Sequence, residues 1–246
     1  MDYDNLKDLE KELGLPPNSL NNIPIYARKP AVKAIRRVLE MEKKSLFRPG
    51  IYYIVLADLV GNTKFNSKYG NGHADIRVEW FHTAAIQAIG EFELSNYVTF
   101  NKTIGDASLL IFSSIKDVII WSKRFTEILS GLDQEYESVV YEQSLPYPIA
   151  EDTMDQQVED FKLKARRLVH VGEVSYANNS DPLSLAVSQT FKIEKEFLEV
   201  KLGCTENVAQ IIRPVIKDLG YKLEENKRIL IAGEDYESMS YYIVPY

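Results

Sequence analysis

The pattern of apolar and polar positions predicts a buried strand early in the chain. Ile51–Ala57 is an unbroken apolar run, rich in β-branched and aromatic residues and of the length of a strand. Asp58 ends this run, and the segment Leu59–Thr63 predicts a turn that opens a helix. A helical pattern continues from Asn62 to about Glu93, with a break expected near Gly70–Gly72. A carboxylate therefore stands at the point where a buried strand gives way to a helix.

A second acid is predicted at the tip of a hairpin. Gly105-Asp106 is a two-residue turn signal, and the runs Tyr97–Asn101 and Ser108–Phe112 have the character of its two strands. A carboxylate at a hairpin tip and Asp58 at the end of a neighbouring strand can meet over one edge of a sheet. Two buried acids so placed repel each other, and a divalent cation is the usual way to relieve that repulsion.

The remaining pattern completes an α+β domain. Asp133–Asp160 is acidic and aperiodic, which predicts an extended excursion or an insertion. The other predicted elements are a helix at Ile115–Leu132, a strand at Leu163–Tyr176, helices at Ser184–Val200 and Glu206–Leu219, and short strands at Arg228–Ala232 and Tyr241–Val244. Such uneven alternation predicts a sheet with helices packed outside it. Residues 1–46 are interpreted as an N-terminal arm and helix, and residues 47–246 as the main domain.

Composition narrows the class of protein. With 246 residues and 45% hydrophobic content, the chain can form one good-sized core. A formal net charge of -7 argues against a nucleic acid or an anionic membrane as the main partner. The single cysteine, Cys204, excludes an internal disulfide and fits a reducing compartment. No apolar run has the length of a membrane span, and the acidic start of the chain is unlike a signal peptide, so we expect a cytoplasmic protein.

Three segments give the sequence a specific resemblance. Ala57–Thr63 reads A-D-L-V-G-N-T, Lys102–Asp106 reads K-T-I-G-D, and Arg167–Val174 reads R-L-V-H-V-G-E-V. In this order and at about this separation they resemble the catalytic domain of class III nucleotide cyclases. The resemblance covers Ile51 to about Val244. It implies a class III cyclase-like (ferredoxin-like) antiparallel sheet with helices outside, assembled as a head-to-tail homodimer.

The same resemblance implies a two-metal mechanism. Two ions, Mn²⁺ or Mg²⁺, would be shared by Asp58 and Asp106, with the carbonyl of Leu59 completing one coordination shell. The turn after the strand would bind triphosphate oxygens through amides at a helix N-terminus and the hydroxyl of Thr63. The residues of that turn are Val60, Gly61, Asn62 and Thr63.

A third motif departs from the family. Class III cyclases carry an Asp, an Asn seven residues later and an Arg four residues after that, which serve the base, the ribose and the transition-state phosphate. Here Asp181, Ser188 and Lys192 fall at that spacing. Serine cannot orient a ribose as asparagine does, and lysine lacks the planar fork of arginine. The family's K-G after the penultimate strand reads Ala232-Gly233, so a phosphate-binding lysine is missing there.

The base pocket leaves the substrate open. Lys102 and Asp181 match the pair that reads adenine in adenylate cyclases, which favours ATP. Against ATP, Leu56 stands where the family has phenylalanine, and Ser188 and Lys192 are altered. These departures, and the short chain, resemble the pyrimidine cyclases of bacterial Pycsar anti-phage systems, whose cyclic UMP or cyclic CMP acts on a separate effector. Arg77 with Trp80 on the long helix, and Tyr52 or Tyr53 on the strand, are candidate contacts for a smaller base, and UTP is preferred over CTP.

Simpler interpretations stand beside these. Asp58 is also suited to cap a helix, Asp106 to form a turn, and Lys192 to lie on a solvated helix face. Three hypotheses follow for the molecule: a dimeric pyrimidine cyclase, an adenylate cyclase making cyclic AMP, and a cyclase-like domain that binds nucleotide without turnover. Both acids are retained, which favours catalysis. In the family one subunit supplies the metal ligands and the other supplies the base and transition-state residues, so a homodimer with two interfacial sites is expected.

Overall fold

The computed structural model describes residues 10–11, 49–91, 98–143, 154–176 and 181–246. Within these ranges there are eight strands, at Gly50–Leu59 (β1), Val98–Ile104 (β2), Ala107–Phe112 (β3), Ala165–Tyr176 (β4), Pro182–Leu183 (β5), Leu202–Thr205 (β6), Tyr221–Leu230 (β7) and Glu237–Pro245 (β8). The helices are Asn62–Tyr69 (α1), Asn71–Glu91 (α2), Ile115–Gln143 (α3), Met154–Phe161 (α4), Leu185–Ile193 (α5) and Glu206–Ile212 (α6). The predicted N-terminal arm at 1–46 lies outside the described residues except for 10–11.

The strands form one sheet in the order β2-β3-β1-β4-β6-β8-β7, and β5 pairs with β4 beside this path. Neighbouring strands are antiparallel except for β4 and β6, which are parallel. The predicted antiparallel sheet is therefore present, with one parallel pair that makes it a mixed sheet. β1 is a central strand, with β3 on one side and β4 on the other, so both of its neighbours can bring side chains to its end.

The alternation of β1 divides the core into two faces. Val55, Ala57 and Leu59 pack into the large cluster that includes residues of α1, α2 and α3. Ile54 and Leu56 point to the opposite face, where they pack near the start of α5. A strand covered on both sides reads as a continuous apolar run, which is why the sequence identifies it so clearly. Asp58 follows in the alternation on the face of Leu56.

The prediction that Asp133–Asp160 is extended is wrong for the residues of this segment that the structure describes, which are helical. Helix α3 continues to Gln143, and α4 occupies most of the end of the segment. Leu132 and Tyr136 extend the buried stripe of α3, and the ring of Tyr136 stacks on Phe161 with centroids 3.5 Å apart. The many acids in this segment mask its apolar periodicity. Residues 144–153 lie outside the described part of the chain.

Three other boundaries differ from the predictions. Helix α5 ends at Ile193 and passes into a 3-10 turn, so the predicted helix to Val200 is too long. Helix α6 ends at Ile212, since Pro214 lacks the amide that a continuing helix needs. Strand β7 is longer than predicted. Its exposed positions carry charges, as suits the edge of a sheet, and these charges obscure the strand pattern in the sequence. Among the described residues, no helix is both long and apolar enough to cross a membrane.

Candidate active site

The hairpin β2–β3 brings Asp106 to the end of β1. Gly105 and Asp106 form the turn, and Gly105 has φ +60°, a conformation that glycine adopts without strain. Asp58 is the register partner of Ala107, the residue after Asp106. The Leu59 amide donates a hydrogen bond of 3.2 Å to the Asp106 carbonyl oxygen. The backbone therefore places both acids at the same end of β1, and their sharing of a metal ion stays a prediction.

His82 supports the turn from the other face. One ring nitrogen, Nε2, lies 2.9 Å from the Gly105 carbonyl oxygen, and Nδ1 lies 2.8 Å from the Ser108 hydroxyl. A carbonyl oxygen only accepts, so Nε2 carries the proton and Nδ1 accepts from Ser108. Burial lowers the pKa of His82, although the hydrogen bond to Gly105 and the charge of Asp106 oppose that shift. A neutral imidazole thus fixes the turn that presents Asp106.

An arginine lies between the acids. Arg166 of β4 is the register partner of Asp58 and forms an ion pair with its carboxylate. Its Nη2 also lies 2.9 Å from Glu194 Oε1, outside hydrogen-bond geometry. Burial acts to lower the pKa of Arg166, but the hydrogen bond to Asp58 and the charges of Glu194 and Asp106 raise it overall.

Glu194 is the third carboxylate of this cluster. It lies in the 3-10 turn after α5 and is only about one-fifth exposed, with a side-chain exposure of 20%. Burial raises the pKa of Glu194; Arg166 opposes this rise, and the charges of Asp58 and Asp106 add to it. Asp58 and Glu194 therefore share one cation at the end of β1, and Asp106 lies close enough for its charge to act on that cation.

Sequence reasoning missed Arg166 and Glu194. The motif that resembles the family was placed from Arg167, but the side chain of Arg167 points to the opposite face and donates to Ser122 and Thr126 of α3. The two-residue period of a strand could have found the correct arginine, because Arg166 shares a face with Leu168 and His170. Nothing in the sequence places Glu194 near β4, since that contact depends on where α5 ends.

The acids fit a divalent cation. Arg166 shows that this corner accommodates positive charge against Asp58, and carboxylates are the ligands that Mg²⁺ and Mn²⁺ prefer. Within the described ranges, no group of three or more His, Cys, Asp or Glu side chains is arranged to hold a metal. Asp58 and Asp106 would therefore need further oxygen ligands, such as the Leu59 carbonyl and substrate phosphates.

The turn after β1 presents a helix N-terminus. Gly61 adopts φ +76° and caps α1, and its carbonyl oxygen accepts from the Phe65 amide at 2.9 Å. The Val60 amide already donates to Lys164 at 2.8 Å, so it is engaged. Asn62 and Thr63 open the helix, where amides have no intrahelical acceptor. These two amides and the exposed hydroxyl of Thr63 remain available to an anion.

The assignment of Arg77 to the base is wrong. Arg77 is 2% exposed. Its Nε donates to the Phe161 carbonyl oxygen at 2.9 Å, and Nη2 donates to Val60 at 3.0 Å and to Lys162 at 2.9 Å. Burial lowers its pKa to about 10. The guanidinium therefore fastens the turn at Val60 to the segment after α4 and has no surface left for a base.

Tyr53 and Leu56 are also misassigned. Tyr53 lies one residue out of phase with Asp58, so its ring faces the cluster beneath the helices, and burial raises its pKa. Leu56 shares the face of Asp58 but is 3% exposed and packs against the apolar residues of β3 and α5. A ligand could not reach Leu56 without opening the core, and Tyr53 lies on the face of the sheet opposite Asp58.

Lys102 and Asp181 are brought together. The Nζ atom of Lys102 lies 2.7 Å from Asp181 Oδ1, and both side chains are about half exposed, at 48% and 57%. Lys102 comes from β2 and Asp181 from the segment before β5, 79 residues apart. The two residues proposed to read a base therefore form one surface ion pair, and their role in reading a base stays a prediction.

Helix α5 carries the remaining candidates. Ser184 caps the helix, its Oγ accepting from the Val187 amide at 3.1 Å. Ser188 and Lys192 follow one turn apart on its exposed side. Among the described residues, neither side chain has a hydrogen bond or an ion pair. Both side chains are therefore available to a ligand or to a second subunit.

Comparison with known proteins supports the fold alone. No protein-family model and no curated protein matches the sequence. Among solved structures, the adenylyl cyclase CyaB from P. aeruginosa superposes with a TM-score of 0.56 at 11% identity, covering 81% of this chain and 96% of that one. An adenylate cyclase from Trypanosoma brucei gives 0.56 at 12% identity, covering 79% and 89%.

A guanylate cyclase domain from Catenaria anguillulae, in complex with GTP, gives a TM-score of 0.54 at 10% identity. It covers 79% of this chain and 96% of that one. Identities this low show a shared fold and carry no conclusion about substrate. The eight-stranded mixed sheet and its helices are thus the fold of class III adenylyl and guanylyl cyclase catalytic domains.

Proposed function

We propose that this protein is a metal-dependent nucleotide cyclase. It converts a pyrimidine nucleoside triphosphate, UTP in preference to CTP, into the 3′,5′-cyclic monophosphate and pyrophosphate. The single observation that supports this most is the convergence of Asp58 and Asp106, from two separate strands, at one sheet edge. The fold shared with adenylyl and guanylyl cyclases adds to it.

The reaction joins the ribose 3′-oxygen to the α-phosphorus and breaks the bond between that phosphorus and the bridging oxygen of pyrophosphate. The hydroxyl proton is lost to water, and charge gathers on the leaving phosphates. When bound, two Mn²⁺ or Mg²⁺ ions would activate the hydroxyl and neutralise that charge. Asp58, Asp106 and the Leu59 carbonyl would hold them. Asn62 and Thr63 would donate to phosphate oxygens at the start of α1.

Arg166 adds a cation at the same place. Its guanidinium lies against the carboxylates of Asp58 and Glu194. A guanidinium binds phosphate oxygens strongly, so a triphosphate arriving beside the two acids offers Arg166 a second partner. Lys192 would stabilise the transition state from the partner subunit, and Ser188 would contact the ribose. This division makes the homodimer the active form.

The choice of base rests on the departures at Ser188 and Lys192. The pair Lys102–Asp181 favours the second candidate, an adenylate cyclase, because a lysine and a carboxylate together offer a donor and an acceptor to adenine. Because Arg77 and Tyr53 no longer serve as base contacts, the pyrimidine assignment depends on the altered α5 residues and on the resemblance to Pycsar cyclases. That resemblance also suggests cytoplasmic synthesis of cyclic UMP for anti-phage defence, acting through a separate effector.

Incubation with each of the four nucleoside triphosphates and Mn²⁺, followed by mass-spectrometric identification of the product, tests the proposal. Cyclic UMP as main product is the expected result. Cyclic AMP would replace the pyrimidine assignment with the second candidate. If no triphosphate releases pyrophosphate, the domain is a non-catalytic nucleotide-binding module, and the cyclase proposal is wrong.

A further inference from the structure

A second cavity lies on the face of the sheet away from Asp58. It has a volume of about 500 Å³ and lies between α3 and the far strands β6, β7 and β8. Its walls are largely apolar and include Ile119 of α3, Leu202 of β6 and Ile243 of β8. Arg167 of β4 also lines the cavity and carries one of its charges. The candidate active site uses none of these residues.

Arg167 is a buried cation without an acidic partner. Its side chain is 7% exposed. Nη1 donates to the Ser122 carbonyl oxygen at 2.9 Å, to the Ser122 hydroxyl at 3.1 Å and to the Thr126 hydroxyl, and Nη2 donates to the Val200 carbonyl oxygen at 3.4 Å. Nε has no hydrogen-bond partner. No carboxylate in the described ranges forms an ion pair with this guanidinium.

This arrangement leaves positive charge uncompensated. Burying an ion costs several kcal/mol unless a counter-ion or a full set of hydrogen bonds replaces water. The neutral acceptors around Arg167 satisfy Nη1, on one side of the guanidinium. On its other edge, Nη2 makes one long hydrogen bond, to Val200, and Nε makes none. That edge is the one with which arginine binds a carboxylate side-on.

The other charges of the cavity do not supply the missing anion. Glu127 lies at the cavity but pairs with Arg124 at 3.2 Å. Lys201 is already paired with Glu199 and Glu224, and Lys123 adds a further cation. Asp133 shares a smaller cavity of about 130 Å³ with Arg167, where its Oδ1 accepts from the Leu163 amide at 2.8 Å.

We propose that this cavity is a binding site for a small organic anion with an apolar body, whose anionic group pairs with Arg167 and whose chain packs along Ile119, Leu202 and Ile243. A medium-chain carboxylate or an alkyl phosphate has this chemistry. The site is independent of the cyclase reaction, because it lies on the opposite face of β4 and requires neither nucleotide nor metal.

Calorimetric titration of the full chain with octanoate, octyl phosphate and octanol tests the proposal. Octanoate or octyl phosphate binds in the micromolar to low millimolar range, and octanol binds at least about tenfold more weakly, since the charge contributes about 1.4 kcal/mol or more. The relative affinity of the two anions identifies which head group the site takes. Equal binding of octanol, or no binding of either anion, overturns the proposal.

Two variants locate the site. Val200→Trp fills the cavity from a side chain that is 45% exposed, and so leaves the fold intact; it should weaken anion binding at least about tenfold. Leu198→Trp, at a neighbouring exposed position that does not line the cavity, is the matched control and should bind normally. Arg167→Met, where it folds, should bind octanoate no better than octanol. Unchanged binding by Val200→Trp places the ligand elsewhere and contradicts the inference.

Discussion

Asp106 occupies a two-residue turn and is partly exposed, so its side chain contributes little to the core. Under the proposed mechanism its carboxylate is shared by both ions. Asp106→Ala should therefore lower kcat by at least about a hundredfold while the melting temperature changes by no more than about 2 °C. Pyrophosphate release and circular dichroism melting measure the two effects.

The exposed turn residue Asp218 provides a control for Asp106. Asp218→Ala removes an equal charge far from the acids and should leave both kcat and melting temperature unchanged. Full activity in Asp106→Ala would make Asp106 a simple turn residue and remove the basis for the metal assignment.

Lys192 has no partner among the described residues, which suits a group that acts on a ligand from another chain. Lys192→Ala should lower kcat by about tenfold or more and change KM less, because the charge is used mainly in the transition state. Lys195→Ala, three residues along in the 3-10 turn, is the control. Equal kcat and KM for the two variants would mean that Lys192 is an ordinary solvent-exposed helix residue with no role in catalysis.

Asp133 predicts a pH effect on stability. Burial raises its pKa from 3.8 to about 6, with the Leu163 amide and nearby cations opposing. A folded-state pKa above the unfolded one means that the folded state holds the proton more tightly. The contribution of Asp133 to the free energy of unfolding is thus most favourable below about pH 4 and is lost as pH rises to about 6.

Asp133→Asn removes the free-energy cost of burying an ionised carboxylate but keeps an oxygen that can accept a hydrogen bond from the Leu163 amide. Urea unfolding should find the variant more stable than the wild type by about 1–2 kcal/mol at pH 8 and by little at pH 4.5. The same difference at both pH values would show that ionisation of Asp133 does not limit stability.

At the scale of elements, the approach of α5 to β4 sets the position of Ser188 and Lys192. A Cβ added at Gly172 would lie 2.4 Å from the Cβ of Ala186, closer than two carbons can approach. Gly172→Ala must therefore move α5 off the sheet, with a destabilisation of about 1–3 kcal/mol. Chemical denaturation measures it, and the displaced helix should also lower kcat.

Gly131→Ala is the matched control for that change. Gly131 lies in α3 with nothing within 4 Å of the position of its missing Cβ. The substitution should be neutral or stabilise the protein by up to about 1 kcal/mol, because alanine favours a helix over glycine. A Gly172→Ala variant as stable as Gly131→Ala would mean that α5 packs less closely than the structure has it.

At the scale of the whole molecule, the proposed dimer predicts complementation. Asp106→Ala impairs one half of a site and Lys192→Ala the other, so a heterodimer of the two variants has one site with both halves intact. Heterodimers purified through two affinity tags should have about half the activity of the wild type. Activity is measured as pyrophosphate release per dimer.

A pair of variants from the same half controls this experiment. Asp58→Ala with Asp106→Ala leaves every site without one of the two carboxylates, so no recovery is expected. If Asp106→Ala with Lys192→Ala recovers no more than this control, each site is built from one chain and the interfacial arrangement is wrong.

The sequence alone determined the features that are encoded locally. The apolar run of β1 and the Gly105-Asp106 turn identified the strand, the hairpin and the two acids, because each depends on a few neighbouring residues. The break at Gly70 was also predicted, and it separates α1 from α2. The spacing of Lys102 and Asp181 suggested a pair only through resemblance, and the structure brings them into contact.

Tertiary structure alone decided which side chains face the site. Arg77 and Tyr53 have the chemistry to contact a base. However, the guanidinium of Arg77 donates its hydrogen bonds to backbone carbonyls, and Tyr53 lies on the face of β1 opposite Asp58. Arg166 and Glu194 enter the site because β4 pairs with β1 and α5 ends at Ile193. Register and helix length are set by packing against distant parts of the chain, so no local pattern specifies them.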